Sequence, residues 1–154
     1  MTASATEAAM LALIGALNAP ASLPDVRRDP VFDDAVELLA GDPSIGRILV
    51  VRTGDPVSTE RAFGAPSDQK FELVRNVDVE FYVAGAEGSA LFTKFDDDVL
   101  AIFAAIEADP TLGGVVSIAE VVDQPEISAE GIGSIAFRTA LIRVQLTYVS
   151  PRAY

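Results

Sequence analysis

The densest run of groups able to do chemistry is Asp96-Asp97-Asp98. Carboxylates in such number could hold Mg²⁺ or Ca²⁺, which take oxygen ligands. Successive residues on a helix point in different directions, however, and the spacing of a calcium-binding helix–loop–helix is absent. Acids at a helix start are favoured by the helix dipole alone, so the run reads as first-turn charge and not as a metal site. Gly113-Gly114 raises the same question for phosphate. It lacks the Lys-Ser/Thr of a P-loop and the wider glycine spacing of a dinucleotide site, which leaves a turn between helix and strand. No Gly-x-Ser-x-Gly occurs, and a serine nucleophile would have no general base. The chain contains no His and no Cys. That removes the commonest proton shuttle and metal ligand, the thiol nucleophile, disulfides, zinc ribbons and iron–sulfur ligation together. Asp78 and Glu80 share a strand face, but strand parity alone supplies no cleft in which they converge. The expectation is no catalytic residue, no metal and no cofactor: not an enzyme.

Groups suited to contacting another protein are easier to find. Arg61, Phe63 and Lys70 lie in or beside a long breaker-rich stretch, 54–69, which holds Gly54, Pro56, Gly64 and Pro66. They bring positive and aromatic groups to an acidic chain. Ordinary solvated charge is one reading; a contact with an acidic partner surface is the other, since long loops in compact domains tend to carry binding. Arg75 interrupts an otherwise apolar strand face, and Tyr154 ends a short tail over 150–154 that is either a docking element or frayed. These five, Arg61, Phe63, Lys70, Arg75 and Tyr154, are the candidate interface residues.

Charge narrows the partners. The chain has 11 Lys+Arg against 23 Asp+Glu, a formal net charge of −12. Such a surface repels phosphates, so coating or groove-binding of nucleic acid and docking on anionic membranes are disfavoured. A wall that DNA merely passes remains compatible, because repulsion there prevents sticking.

The elements that must position these groups follow from periodicity. With 154 residues, half of them hydrophobic, the chain fits a single domain over 1–154 with a core of small aliphatic side chains. A first helix is expected over 6–17, capped by Thr6, with Met10, Leu13, Ile14 and Leu17 on its buried face. The apolar run 8–17 is too short to cross a bilayer. As a signal peptide it lacks any Lys or Arg before Arg27, so a cytosolic helix is the better reading. A small helix is expected over 31–39, between Pro30 and Gly41. A strand over 45–53 sets Ile48 and Val50 on one face and Leu49 and Val51 on the other, so both faces are partly covered. A loop follows at 54–70. The strand at 71–83 places Phe71, Leu73, Val77, Val79, Phe81 and Val83 on a packed face and Glu72, Asn76, Asp78, Glu80 and Tyr82 on a wet or interfacial one. The strongest helix carries Val99, Ile102, Phe103 and Ile106 and ends at Pro110, its start falling at Asp96–Asp98 or as early as Ala90, capped by Ser89. The last third reads as a hairpin: a strand over 115–122, a loop over 124–133 and a return strand over 135–149.

That return strand has a parity flaw. Ile135, Phe137 and Leu141 share one face, whereas Ile142, Val144, Leu146 and Tyr148 share the other. Either a bulge near Leu141–Ile142 resets the register, or the halves bury against different things, the domain's own helices and a neighbour. The fold class is therefore α+β, a mostly antiparallel sheet of about four strands with two main helices on one face.

The second half resembles a known family. Ile106-Glu107-Ala108-Asp109-Pro110-Thr111-Leu112-Gly113-Gly114-Val115 closes a helix, and a strand, a loop and a long terminal strand ending Val144-Gln145-Leu146-Thr147-Tyr148 come after it. This is similar to the tail terminator proteins of long-tailed bacteriophages, the minor tail protein U-like or tail completion proteins. The Ala/Leu-rich first helix also fits, while 19–44 is longer than that layout has between first helix and first strand. The resemblance implies a structural virion protein of the tail or neck, assembled in the host cytoplasm. It would form a homohexameric ring that caps the tail tube and ends its polymerisation. The ring would meet the tail tube protein on one side and the head-tail connector or neck protein on the other, with DNA passing through its lumen unbound. A neck or head-completion protein and a small-ligand or regulatory binding module are the alternatives, with a carboxylate-only enzyme, which would need paired acids converging in a cleft, as the third option. For a binding module, 54–70 would lie as a lid over a cavity; for a ring, at a subunit interface.

Overall fold

The computed structural model describes residues 4–28, 37–39, 41, 46–63, 70–85, 93–132 and 135–152, with side chains at all of these except 60–63, 130–132 and 135. In chain order its elements are α1 (Ala5–Asn18), β1 (Val26–Arg28), β2 (Arg47–Phe63), β3 (Lys70–Gly85), α2 (Phe95–Glu107), β4 (Ile118–Val121), β5 (Glu126–Ile132) and β6 (Ile135–Ser150). The class is α+β. The sheet, however, has six strands and is mixed: β1-β2-β3-β6-β4, with β5 also on β6. β1 runs parallel to β2, and every other pairing is antiparallel.

Both helices follow their apolar spacing, and each departs from expectation at its start. Ser4, not Thr6, caps α1, its hydroxyl accepting from the Glu7 amide at 3.1 Å. Thr6 lies in the first turn and is buried, its Oγ1 hydrogen-bonded to the Tyr148 hydroxyl at 2.8 Å. α2 starts at Phe95, with Asp96, Asp97 and Asp98 in its first turn, where the dipole favours them. The earlier start at Ala90 with Ser89 as cap falls on residues outside those described. Of the small helix expected over 31–39, the described residues 37–39 are helical and Leu39 is buried.

The sheet corrects two loop assignments. The stretch 54–63, expected as loop, continues β2 and pairs with β3 as far as Phe63↔Lys70. Its breakers are absorbed at register shifts between Thr53 and Pro56 and between Pro56 and Ser58, where an edge strand tolerates a residue without an amide hydrogen. Gly54 is needed there, because a Cβ on it would sit 2.4 Å from the Asn76 carbonyl oxygen. The segment 124–133, expected as loop, contains β5, paired with β6 from Glu126↔Leu141 to Ile132↔Ile135. β4 is shorter than the strand expected over 115–122, because 110–117 form the turn after α2.

The parity flaw in β6 also finds its physical reason. No bulge interrupts β6 against β3, whose register runs unbroken from Phe71↔Ser150 to Gly85↔Ala136. On its other side, β4 and β5 pair with β6 in registers two residues apart, with 122–125 off the edge between them, and a shift of two leaves the parity of β6 unchanged. The sheet buries residues on both faces. Ala140, Ile142, Val144, Leu146 and Tyr148 join the main core with α1 and α2, while Phe137 joins a second cluster with Leu39, Ile48, Val50, Tyr82 and Ala84 on the opposite face. Ile48 and Val50 thus part from Leu49 and Val51 as their alternation predicts. Among the described residues, no helix is long and apolar enough to cross a membrane.

Candidate functional site

Polar side chains collect on the sheet face turned away from α1 and α2, because register fixes them there. Arg52 in β2 faces Asp78 in β3, which faces Arg143 in β6. One step along, Val50, Glu80 and Leu141 form the next row, and then Ile48, Tyr82 and Thr139. Cross-strand neighbours on one face are close enough to interact, and ion pairs result. Arg52 Nε donates to Glu80 Oε2 at 2.8 Å, Arg143 lies 3.5 Å from both Asp78 and Asp123, and the Gln145 amide donates to Asn76 at 3.4 Å. The Tyr82 hydroxyl donates to the same Glu80 oxygen at 2.5 Å. Burial, then that bond to a carboxylate, pushes the Tyr82 phenol well above its ordinary value, so at neutral pH it is a fixed donor and not a base. Asp78 and Glu80, the one acid pair of the sequence reading, are thus each engaged with an arginine.

Two shallow depressions flank this array. One, of about 410 Å³, is lined by Glu80, Tyr82, Glu126, Ile127, Ser128, Thr139, Ala140 and Leu141. The other, of about 340 Å³, is lined by Thr53, Gly54, Asp55, Asn76, Asp78 and Arg143. In the first, the Ser128 hydroxyl is hydrogen-bonded to the Thr139 hydroxyl across the β5–β6 pair. Among the described residues, no three His, Cys, Asp or Glu side chains group as metal ligands. Within Asp96–Asp98, Asp98 turns inward to Arg47 Nη1 at 3.2 Å, and that guanidinium also donates to the Ser22 carbonyl at 2.9 Å.

No protein-family model and no curated protein matches this chain.

The segment carrying the phage-tail resemblance is a well-built turn. Asp109 accepts from the Thr111 amide at 3.2 Å, the Thr111 hydroxyl at 2.9 Å and the Gly113 amide at 2.7 Å. Those bonds, the Gly113 amide foremost, hold its carboxyl below the ordinary carboxylate value. Leu112, Gly113 and Gly114 all have positive φ, at 50°, 73° and 86°. The glycines adopt it freely, whereas Leu112 is kept there because its side chain is buried in the main core. Gly113-Gly114 therefore serves the turn between α2 and β4.

The five candidate interface residues do not converge. Arg61 and Phe63 stand opposite Phe71 and Lys70 near the end of the β2–β3 hairpin, and Lys70 is exposed. Arg75 is half-buried and donates to the Gly54 carbonyl at 3.1 Å, securing the irregular part of β2. Tyr154 lies outside the described residues. The sequence reading did not single out Arg52 and Arg143, which organise the polar face. Arg143 sits on the off-parity side of β6 among apolar neighbours, and that was the available signal. Nor did it single out Arg27, because β1 has only three residues and no periodicity.

Proposed function

We propose that this chain is a structural assembly protein of a long-tailed phage, closing into a ring that caps the tail tube, ends its polymerisation and joins it to the head-side connector. The observation that carries the reading is the turn Asp109–Gly114 between a helix and the terminal part of the sheet, followed by a long last strand that reaches Ser150. The resemblance rests on this turn and on that long strand, while the loop it has between the last two strands is replaced here by β5. An open sheet with unlike edges supports the ring, because a closed ring repeats one head-to-tail contact around an axis. Acidic balance suits a lumen through which DNA slides without binding, the protein sitting in the tail or neck of the virion after assembly in the host cytoplasm. The shallow depression beside Tyr82 favours a binding module as second reading.

Light scattering over a range of concentrations, with negative-stain imaging of the same sample, tests the proposal. A closed ring of about six copies with a central hole is the expected outcome. Rings whose lumen is lined by Lys and Arg would overturn the DNA-passage part. Particles that never cap purified tail tubes, with tubes growing on past them, would overturn the terminator role.

A further inference from the structure

The two edges of the sheet are matched in charge, apolar character and strand direction. Follow one row across it. Arg27 lies beside Val50 in β2; Val50 faces Glu80 in β3; Glu80 faces Leu141 in β6; Leu141 faces Glu126 in β5. One row therefore ends in a cation at β1 and an anion at β5, on the same sheet face. The adjacent row runs Val26, Leu49, Phe81, Ala140, Ile127. It ends in apolar groups at both edges, and Ile127 is 57% exposed. Arg27, Glu120 and Glu126 are all exposed.

Direction matches as well. β1 runs with β2, and successive antiparallel steps through β3 and β6 leave β5 running against β1. A second copy turned about an axis along the strands would bring its β1 beside this β5 as an antiparallel neighbour. Like edges meet less well: two β4–β5 edges would confront Glu120, Asp123 and Glu126 with their equivalents, and two β1 edges would confront arginines. The β5 edge also lacks a proline or lysine to deter pairing.

We propose that copies of this chain associate head to tail, the β1 edge of one against the β5 edge of the next, with Arg27 set against Glu126 and Val26 against Ile127. The inference rests on the ring reading only for closure; the contact stands on the sheet. The Val26 amide is already taken by the Asn18 side chain at 2.8 Å, so side chains carry more of this contact than a full main-chain ladder.

The absence of native cysteine makes the test clean. In the double variant Arg27→Cys/Glu126→Cys, mild oxidation should give a ladder of disulfide-linked multimers on a denaturing gel. Facing residues of antiparallel strands lie within the span a disulfide bridges. Each single variant should stay unlinked, and a mixture of the two should give dimers only. Charge reversal supplies a second readout: Arg27→Glu and Glu126→Arg each weaken association several-fold, and the two together restore it. A double-cysteine variant that stays monomeric at all concentrations overturns the proposal, as does Glu126→Cys linking to itself as readily as the double variant links. Rings by imaging without the ladder would sink this contact and leave the ring reading intact. A ladder without closed particles would do the reverse.

Discussion

Thr6 and Tyr148 stand 142 positions apart in sequence and share one buried hydrogen bond. It ties the first turn of α1 to the far end of β6, where both side chains have lost water. Removing one partner leaves the other unpaired, so Thr6→Val or Tyr148→Phe should each cost about 1–3 kcal/mol. The double variant should cost less than the sum of the singles, which urea denaturation of all four proteins would read as a coupling. Asp109 acts locally by comparison. Its folded carboxyl is held below the ordinary value of 3.8, so between the two values the folded state binds fewer protons than the unfolded. Its contribution is then complete above the unfolded value and is lost as pH falls through the lowered folded one. Asp109→Asn should therefore lower stability at neutral pH and flatten the acid limb of the stability–pH curve. Thermal melts from neutral pH down to about pH 3 test this, and unchanged limbs in the two proteins would deny the turn its electrostatic role.

Phe137 settles what the off-parity half of β6 buries. If it waited for a neighbouring subunit, Phe137→Ala would change the isolated chain by less than about 0.5 kcal/mol, as at an exposed site. It is only 2% exposed, packed in the second cluster with Leu39, Ile48, Val50, Tyr82 and Ala84. The expected cost is therefore about 3–5 kcal/mol, comparable to an aromatic truncation in a main core. That result also marks the limit of sequence reading for these elements. The helices, β3 and the split faces of Ile48–Val51 were legible, because a 3.6-residue or two-residue period repeats over enough residues to be counted. The outer half of β2 was not. Gly54 and Pro56 signal a loop to any local rule, and only pairing with β3 and an open edge let the strand absorb them. β5 was missed for the same reason, as Pro125 precedes it and Gly131 lies within it, and only pairing with β6 carries the strand through. Of the candidate site, Asp78 and Glu80 were legible as a shared face. Their arginine partners on β2 and β6 were not, since cross-strand register is a property of the assembled sheet.

At the scale of the whole molecule, association must overcome a charge of −12 on every copy. Long-range repulsion and the short-range match of Arg27 with Glu126 therefore oppose each other, and salt discriminates between them. The Debye length falls from about 30 Å at 0.01 M to about 8 Å at 0.15 M ionic strength. Over that range the repulsion between whole acidic bodies is largely screened. A pair at contact distance is weakened less, and the Val26–Ile127 contact is not weakened at all. Association of the wild-type chain should therefore strengthen as salt rises through this range, which sedimentation at a series of ionic strengths would measure. A steady loss of association with added salt would mean that many ion pairs, and not one charged row beside an apolar one, hold the copies together. The Arg27→Glu variant sharpens the comparison. It adds to the net negative charge and removes the attraction, so its association should be weakest at low salt and gain most from screening.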